Sequence, residues 1–218
     1  MRPRPYISFS QMTTFEQSKE RFIAQYVYGE KQRVSRNMAY GSKMAEGLEA
    51  DEATGDPLLD LVMARIPKLE IRDFPVIDPK GTTVTFSRNG NNTPVTVPTL
   101  KNGKDPIPLM AVPDTATKDY RSFKEYKTSV RKWTQRMADE SGQITFYATA
   151  IWIGYGFIPT DIELVNAQVE YDEEGRLQPT GDILCFPTKR TMVDVIKMTK
   201  RIKTAWSEIL EVCQKELL

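Results

Sequence analysis

The sequence predicts an α/β fold, a central mixed sheet flanked by helices with an inserted β-hairpin, and three observations carry that prediction. Residues 191–217 place Val195, Met198, Ile202, Trp206, Ile209, Cys213 and Leu217 on one stripe behind a Thr191–Asp194 capping pattern, which predicts a long helix with a buried face. The middle of the chain, TTVTFSRNGNNTPVTVPTLKNGKDPIPLM, sets Asn-Gly and Gly-Asn turn signals between Thr/Val runs and predicts the hairpin. Two neighbouring segments, IPLMAVPDTAT and YRSFKEYKTSV, are rich in aliphatic, aromatic and Thr residues, so both read as strands with a turn near Thr117 to Asp119.

In chain order the expected elements are a helix at about 10–29, a helix at about 41–52, a short helix at 57–65, strands through about 68–127 and a helix near 140–155. Two strands around the Glu173-Glu174-Gly175 turn and the final helix follow. One domain spanning 1–218 is expected, with the hairpin at about 78–108 as an insertion and 190–218 as the C-terminal helix. The start, MRPRPYISFS, lacks a signal peptide's apolar run, and the most apolar stretch, ATAIWIGYGFI, is too short to span a bilayer; a cytoplasmic protein without membrane partners is expected.

Composition excludes several chemistries. The chain has no His and two Cys, so Ser-His-Asp and Cys-His catalysis, His-ligated zinc and an iron-sulfur cluster with four thiolates all lack their residues. Cys185 and Cys213 read as buried reduced thiols.

Chemistry concentrates in one place. Pro113-Asp114 is followed by ten residues and then Glu125-Tyr126-Lys127. On a strand, Glu125 and Lys127 share one face while Tyr126 takes the other, so a carboxylate and an ammonium point into one pocket beside Asp114. That grouping suits phosphodiester hydrolysis: carboxylates hold Mg²⁺ or Mn²⁺, and a lysine can orient the nucleophile and stabilise the extra charge. The net charge of +1 gives no global attraction to DNA, so affinity must come from a local patch. Lys118, Arg121, Lys124, Arg131, Lys132 and Arg136 are expected to ring this site and contact DNA phosphates. A second cluster, Lys189, Arg190, Lys197, Lys200, Arg201 and Lys203, reads as a solvated helix face.

This order of elements resembles the PD-(D/E)xK nuclease superfamily and, within it, the RecB-like exonuclease branch of phage and bacterial type. Four stretches carry the resemblance: Ile7-Ser8-Phe9-Ser10-Gln11 leading into a helix with Phe15, Phe22, Ile23 and Tyr26; Gly41-Ser42-Lys43-Met44-Ala45-Glu46-Gly47-Leu48-Glu49; the Asp114, Glu125, Lys127 pair of strands; and Gln143-Ile144-Thr145-Phe146-Tyr147, like a Gln-x-x-x-Tyr motif. The family's His on the second stretch is Ala45 here, and Ser18 stands where iron-sulfur members often carry Cys. The resemblance implies a restriction-endonuclease-like core and a Mg²⁺- or Mn²⁺-dependent deoxyribonuclease without an iron-sulfur cluster, an exonuclease rather than an endonuclease, in recombination, repair or phage DNA metabolism. It implies metal ligation by Glu49, with Glu46 as competitor, Asp114 and Glu125; activation of water by Lys127; and positioning of the scissile strand or support of Lys127 by Gln143 and Tyr147. Implied partners are DNA and a recombinase, single-strand annealing protein or helicase, with a homo-oligomer compatible. The alternative is an inactive DNA-binding or assembly module that keeps the fold.

Overall fold

The computed structural model describes residues 4–31, 35–50, 52–88 and 91–216, without the side chains of residues 37, 49, 50 and 88. In chain order the elements are β1 (Ile7–Ser8), α1 (Phe9–Gln17), α2 (Lys19–Phe22), a π-helical turn (Ile23–Val27), α3 (Arg36–Ala50), α4 (Pro57–Met63), β2 (Ile71–Arg72), β3 (Thr82–Arg88), β4 (Asn91–Val97) and β5 (Thr99–Leu100). β6 (Ile107–Met110), β7 (Thr115–Ala116), β8 (Ser122–Ser129), α5 (Gln135–Asp139), α6 (Gly142–Tyr155), β9 (Asp161–Tyr171), β10 (Leu177–Thr188) and α7 (Met192–Glu216) follow.

A five-stranded mixed sheet in the order β10-β9-β8-β7-β2 is the centre; β8 and β9 run parallel, the other neighbours antiparallel. A three-stranded sheet, β1-β6-β5, and the hairpin β3-β4 complete the strands. One face of the central sheet, with Phe123, Ile162 and Leu164, packs on α6 and on the α7 stripe Met198, Ile202, Trp206, Ile209 and Cys213. The other face, with Tyr126, Val165 and Ala167, is covered by Met44 and Leu48 of α3 and Leu59, Val62 and Met63 of α4. The stripe predicted on α7 is therefore core, with Leu217 outside the described residues. The hairpin also forms as expected, and its Asn89-Gly90 turn lies outside the described residues.

Local chemistry explains the element ends. Ser8 caps α1 in a capping box: its Oγ accepts from Gln11 N at 3.3 Å while its own N–H donates to Gln11 Oε1 at 2.8 Å. The single helix expected over 10–29 is broken at Ser18, whose extended backbone ends α1 and whose Oγ accepts from Arg21 N to start α2. Gly156 ends α6 at φ +78°, where a side chain would be strained. Among the described residues no helix is long and apolar enough to cross a membrane.

Three expectations are corrected. IPLMAVPDTAT is not one strand. β6 belongs to the sheet with β1 and β5, β7 belongs to the central sheet, and the chain changes partners between them: Ala111 O accepts from Val76 N at 2.8 Å and Asp114 O from Asp73 N at 3.1 Å. Pro113, with no N–H to give a ladder, sits at that break. Cys185 is exposed rather than buried: it lies on edge strand β10, on the side made polar by the Lys124–Glu163 ion pair. Arg190 is buried rather than solvated, and Arg201 is tied in a two-pronged ion pair to Glu16.

Candidate active site

Strand alternation on β8 places Phe123, Glu125 and Lys127 toward α6, and turns Tyr126 to the opposite face, where its hydroxyl donates to Pro67 O at 2.7 Å. Lys127 Nζ donates to Glu125 Oε1 at 2.6 Å and to Gln143 Oε1 at 2.9 Å. Gln143 Nε2 in turn donates to the Tyr147 hydroxyl at 2.7 Å, the four-residue spacing on α6 setting both on one face. Asp114, just before β7, receives the Tyr126 N–H on Oδ2 at 2.5 Å. Four of the sequence-predicted residues, Glu125, Lys127, Gln143 and Tyr147, thus form one hydrogen-bonded group from β8 and α6, and Asp114 is held beside it by the Tyr126 N–H.

The Glu125 side chain is 2% exposed, that of Lys127 28%. Glu125 Oε2 is buried and accepts no hydrogen bond from a described residue. Burial, and then the charge of Glu125, push the Asp114 carboxyl well above its ordinary range, against the opposing pull of Lys127. Burial also raises Glu125, with Lys127 pulling it down. Burial works to lower Lys127, but the two carboxylates outweigh it and raise it. Burial and the same two carboxylates lift Tyr147 well above a normal phenol. Two carboxylates packed at the cost of their own ionisation, with one buried oxygen unsatisfied, are a donor set that fits a hard divalent cation. Among the described residues no three His, Cys, Asp or Glu groups cluster closely enough to hold a metal ion by themselves.

A cavity of about 400 Å³ opens over this group, lined by Asp114, Lys127, Tyr126 and Thr128, by Met44, Ala45 and Leu48 of α3, and by Lys68, Arg72 and Asp73. The last three escaped sequence reasoning. Asp73 has φ +47°, an uncommon conformation for a residue with a side chain, and its charge reaches Glu125, Tyr126 and Tyr147. Its link to Asp114 runs through β2–β7 pairing across the inserted hairpin, which leaves no local sequence signal. The Glu49 side chain lies outside the described residues, although α3 carries the position. Glu46 is exposed and does not line the cavity.

The basic run does not ring the site as a unit. Arg131 and Lys132 are exposed just beyond the end of β8 that carries Lys127. Lys118 and Arg121 precede the other end, where Arg121 pairs with Asp119 and lies over the Phe157 ring. Lys124 alternates to the opposite face and pairs with Glu163, and Arg136 is paired with Glu140 along α5.

No family model matches the chain, and no curated protein does. Similar solved structures include a protein provisionally described as an exonuclease, from Eubacterium rectale, at 12% identity and a TM-score of 0.54, covering 97% of this chain and 82% of that one. The alkaline exonuclease LHK-Exo from Laribacter hongkongensis is similar at 10% identity and a TM-score of 0.49, with 98% and 92% of the two chains covered. Its complex with dAMP gives 10% identity, a TM-score of 0.47 and coverage of 97% and 91%. At 12% identity the likeness to the Eubacterium rectale structure is one of fold, a mixed sheet flanked by helices.

Proposed function

We propose that this chain is a metal-dependent deoxyribonuclease, an exonuclease acting on DNA ends in recombination, repair or phage DNA metabolism. One observation carries the reading: Asp114 and Lys127 line a single cavity, and Lys127 is bonded to Glu125, whose Oε2 is buried and unsatisfied. Asp114 and Glu125, joined by Glu49 from α3, are the residues to hold Mg²⁺ or Mn²⁺, which supplies Lewis acidity that neutralises charge on the phosphate and favours deprotonation of the attacking water.

The chain's own groups do the rest. The Tyr126 N–H fixes the Asp114 carboxylate, so its orientation is set by backbone before substrate arrives. Lys127 commits two of its three N–H groups, to Glu125 and Gln143, and the third serves the substrate side, where it orients water and stabilises the charge that builds on the phosphoryl oxygens. Tyr147 holds the Gln143 amide so that its oxygen faces Lys127. Arg131 and Lys132 supply sequence-independent contacts to phosphates at the cavity's edge.

The deciding experiment incubates the protein with end-labelled linear, circular and single-stranded DNA in Mg²⁺, Mn²⁺ or EDTA. Metal-dependent loss of linear but not circular DNA is expected. Cleavage of circles overturns the exonuclease reading, and binding without cleavage in any metal overturns the enzyme reading.

A further inference from the structure

Arg190 is 7% exposed, and each of its five N–H groups has an acceptor. Nε donates to Thr145 Oγ1 at 2.7 Å; Nη1 to Thr188 Oγ1 at 2.7 Å and Lys189 O at 2.8 Å; Nη2 to Ala138 O at 2.9 Å and Ser141 O at 3.1 Å. These bonds tie the end of β10 to the last turn of α5 and to the first turn of α6. On α6 they grip two points, Ser141 and Thr145, on either side of Gln143. Ser141 is the residue that caps this helix, and Thr145 Oγ1 also donates back to Ser141 O at 2.9 Å. The gripped turn is the one that presents Gln143 to Lys127.

We propose that Arg190 is a positioning residue of the active site: by fixing the rotation of the first turn of α6 about its own axis, it sets the place of Gln143 and through it the place of the Lys127 ammonium. This rests on the reading of Lys127 as the lysine that works on the scissile phosphate. A side chain about 6 Å from a helix axis moves about 1 Å for a rotation of about 10°. The 2.9 Å bond from Lys127 to Gln143 does not survive such a shift, and displacements of that size cost enzymes up to about a hundredfold. Arginine suits the task because no other side chain carries five donors in one rigid plane, and the grip satisfies five carbonyl or hydroxyl acceptors around β10, α5 and α6 at once.

The test compares the full-length wild type with Arg190→Ala, Thr145→Val, Gln143→Ala and the Arg190→Ala/Gln143→Ala double variant. In linear-DNA cleavage, Arg190→Ala is expected to lower kcat roughly ten- to a hundredfold with KM within about twofold, and to cause no further loss once Gln143 is already Ala. Losses that simply add in the double variant, or a change in KM alone, overturn the proposal, because a purely structural arginine has no reason to act through Gln143. Should Arg190→Ala not fold, Thr145→Val, which removes one acceptor, carries the decision by the same kcat criterion. A second readout does not need turnover: exchange of the Lys127 ammonium protons with solvent, followed by nitrogen-15 NMR, should quicken in Thr145→Val. If the wild type cleaves nothing, the nuclease reading falls and this exchange alone decides the positional claim, unchanged exchange refuting it.

Discussion

Replacing Asp114 by Asn should do two opposite things to the melting temperature, and both follow from the packing of the site. In the metal-free protein Asp114 is half-buried beside Glu125, and desolvation together with the charge of Glu125 holds its pKa well above the ordinary 3.8, so at neutral pH its charge costs folding energy. Asn keeps the shape and can still accept the Tyr126 N–H, so the metal-free variant should melt higher than the wild type. A divalent ion that binds only the folded state stabilises by about 2.7 kcal/mol at a hundredfold excess over its Kd, and for a chain of this size each kcal/mol is worth roughly 2–4 °C. The wild type should therefore rise by about 5–11 °C between EDTA and saturating Ca²⁺, and Asp114→Asn should lose most of that rise. The sign with pH is fixed as well. A raised carboxyl contributes stability that is present below the unfolded value of 3.8 and is lost as pH rises through the folded value, so the metal-free variant's advantage should be absent near pH 3.8 and open as pH increases. Differential melts of both proteins in EDTA and in millimolar Ca²⁺, across pH, test each part. A wild type with no divalent-specific shift, or a variant that shifts as much as the wild type, refutes Asp114 as a ligand.

Lys127→Ala should lower cleavage by orders of magnitude while leaving DNA binding near wild type, since it removes stabilisation made in the transition state; wild-type turnover in the folded variant would sink the site. Arg131→Ala with Lys132→Ala should weaken DNA binding and reduce the slope of log affinity against log salt by roughly one unit per lost contact, read by fluorescence anisotropy. Lys118→Ala with Arg121→Ala, at the far end of β8, should leave that slope unchanged. Ile202→Ala, deep in the α6–α7 core, should cost about 2–5 kcal/mol in urea unfolding without altering the metal-induced shift.

Strand alternation, helix periodicity and capping are local, and they were legible. Glu125 and Lys127 on one face, Gln143 and Tyr147 one turn apart, the Thr191 cap and the α7 stripe all follow from spacing within a few residues. What tertiary structure decided was which distant segments meet. Asp73 enters the cavity because β2 pairs with β7 across the β3–β4 insertion, and Arg190 leaves a run of cations for the interior because its five donors find acceptors on β10, α5 and α6. Lys124 reads as part of a basic patch, yet strand parity turns it away from its neighbours and onto Glu163 of the adjacent strand. Charge and spacing belong to the sequence; whether a charge faces DNA, a carboxylate or a buried carbonyl depends on partners that the chain brings together only by folding, because electrostatic and hydrogen-bond energies fall off within a few ångströms.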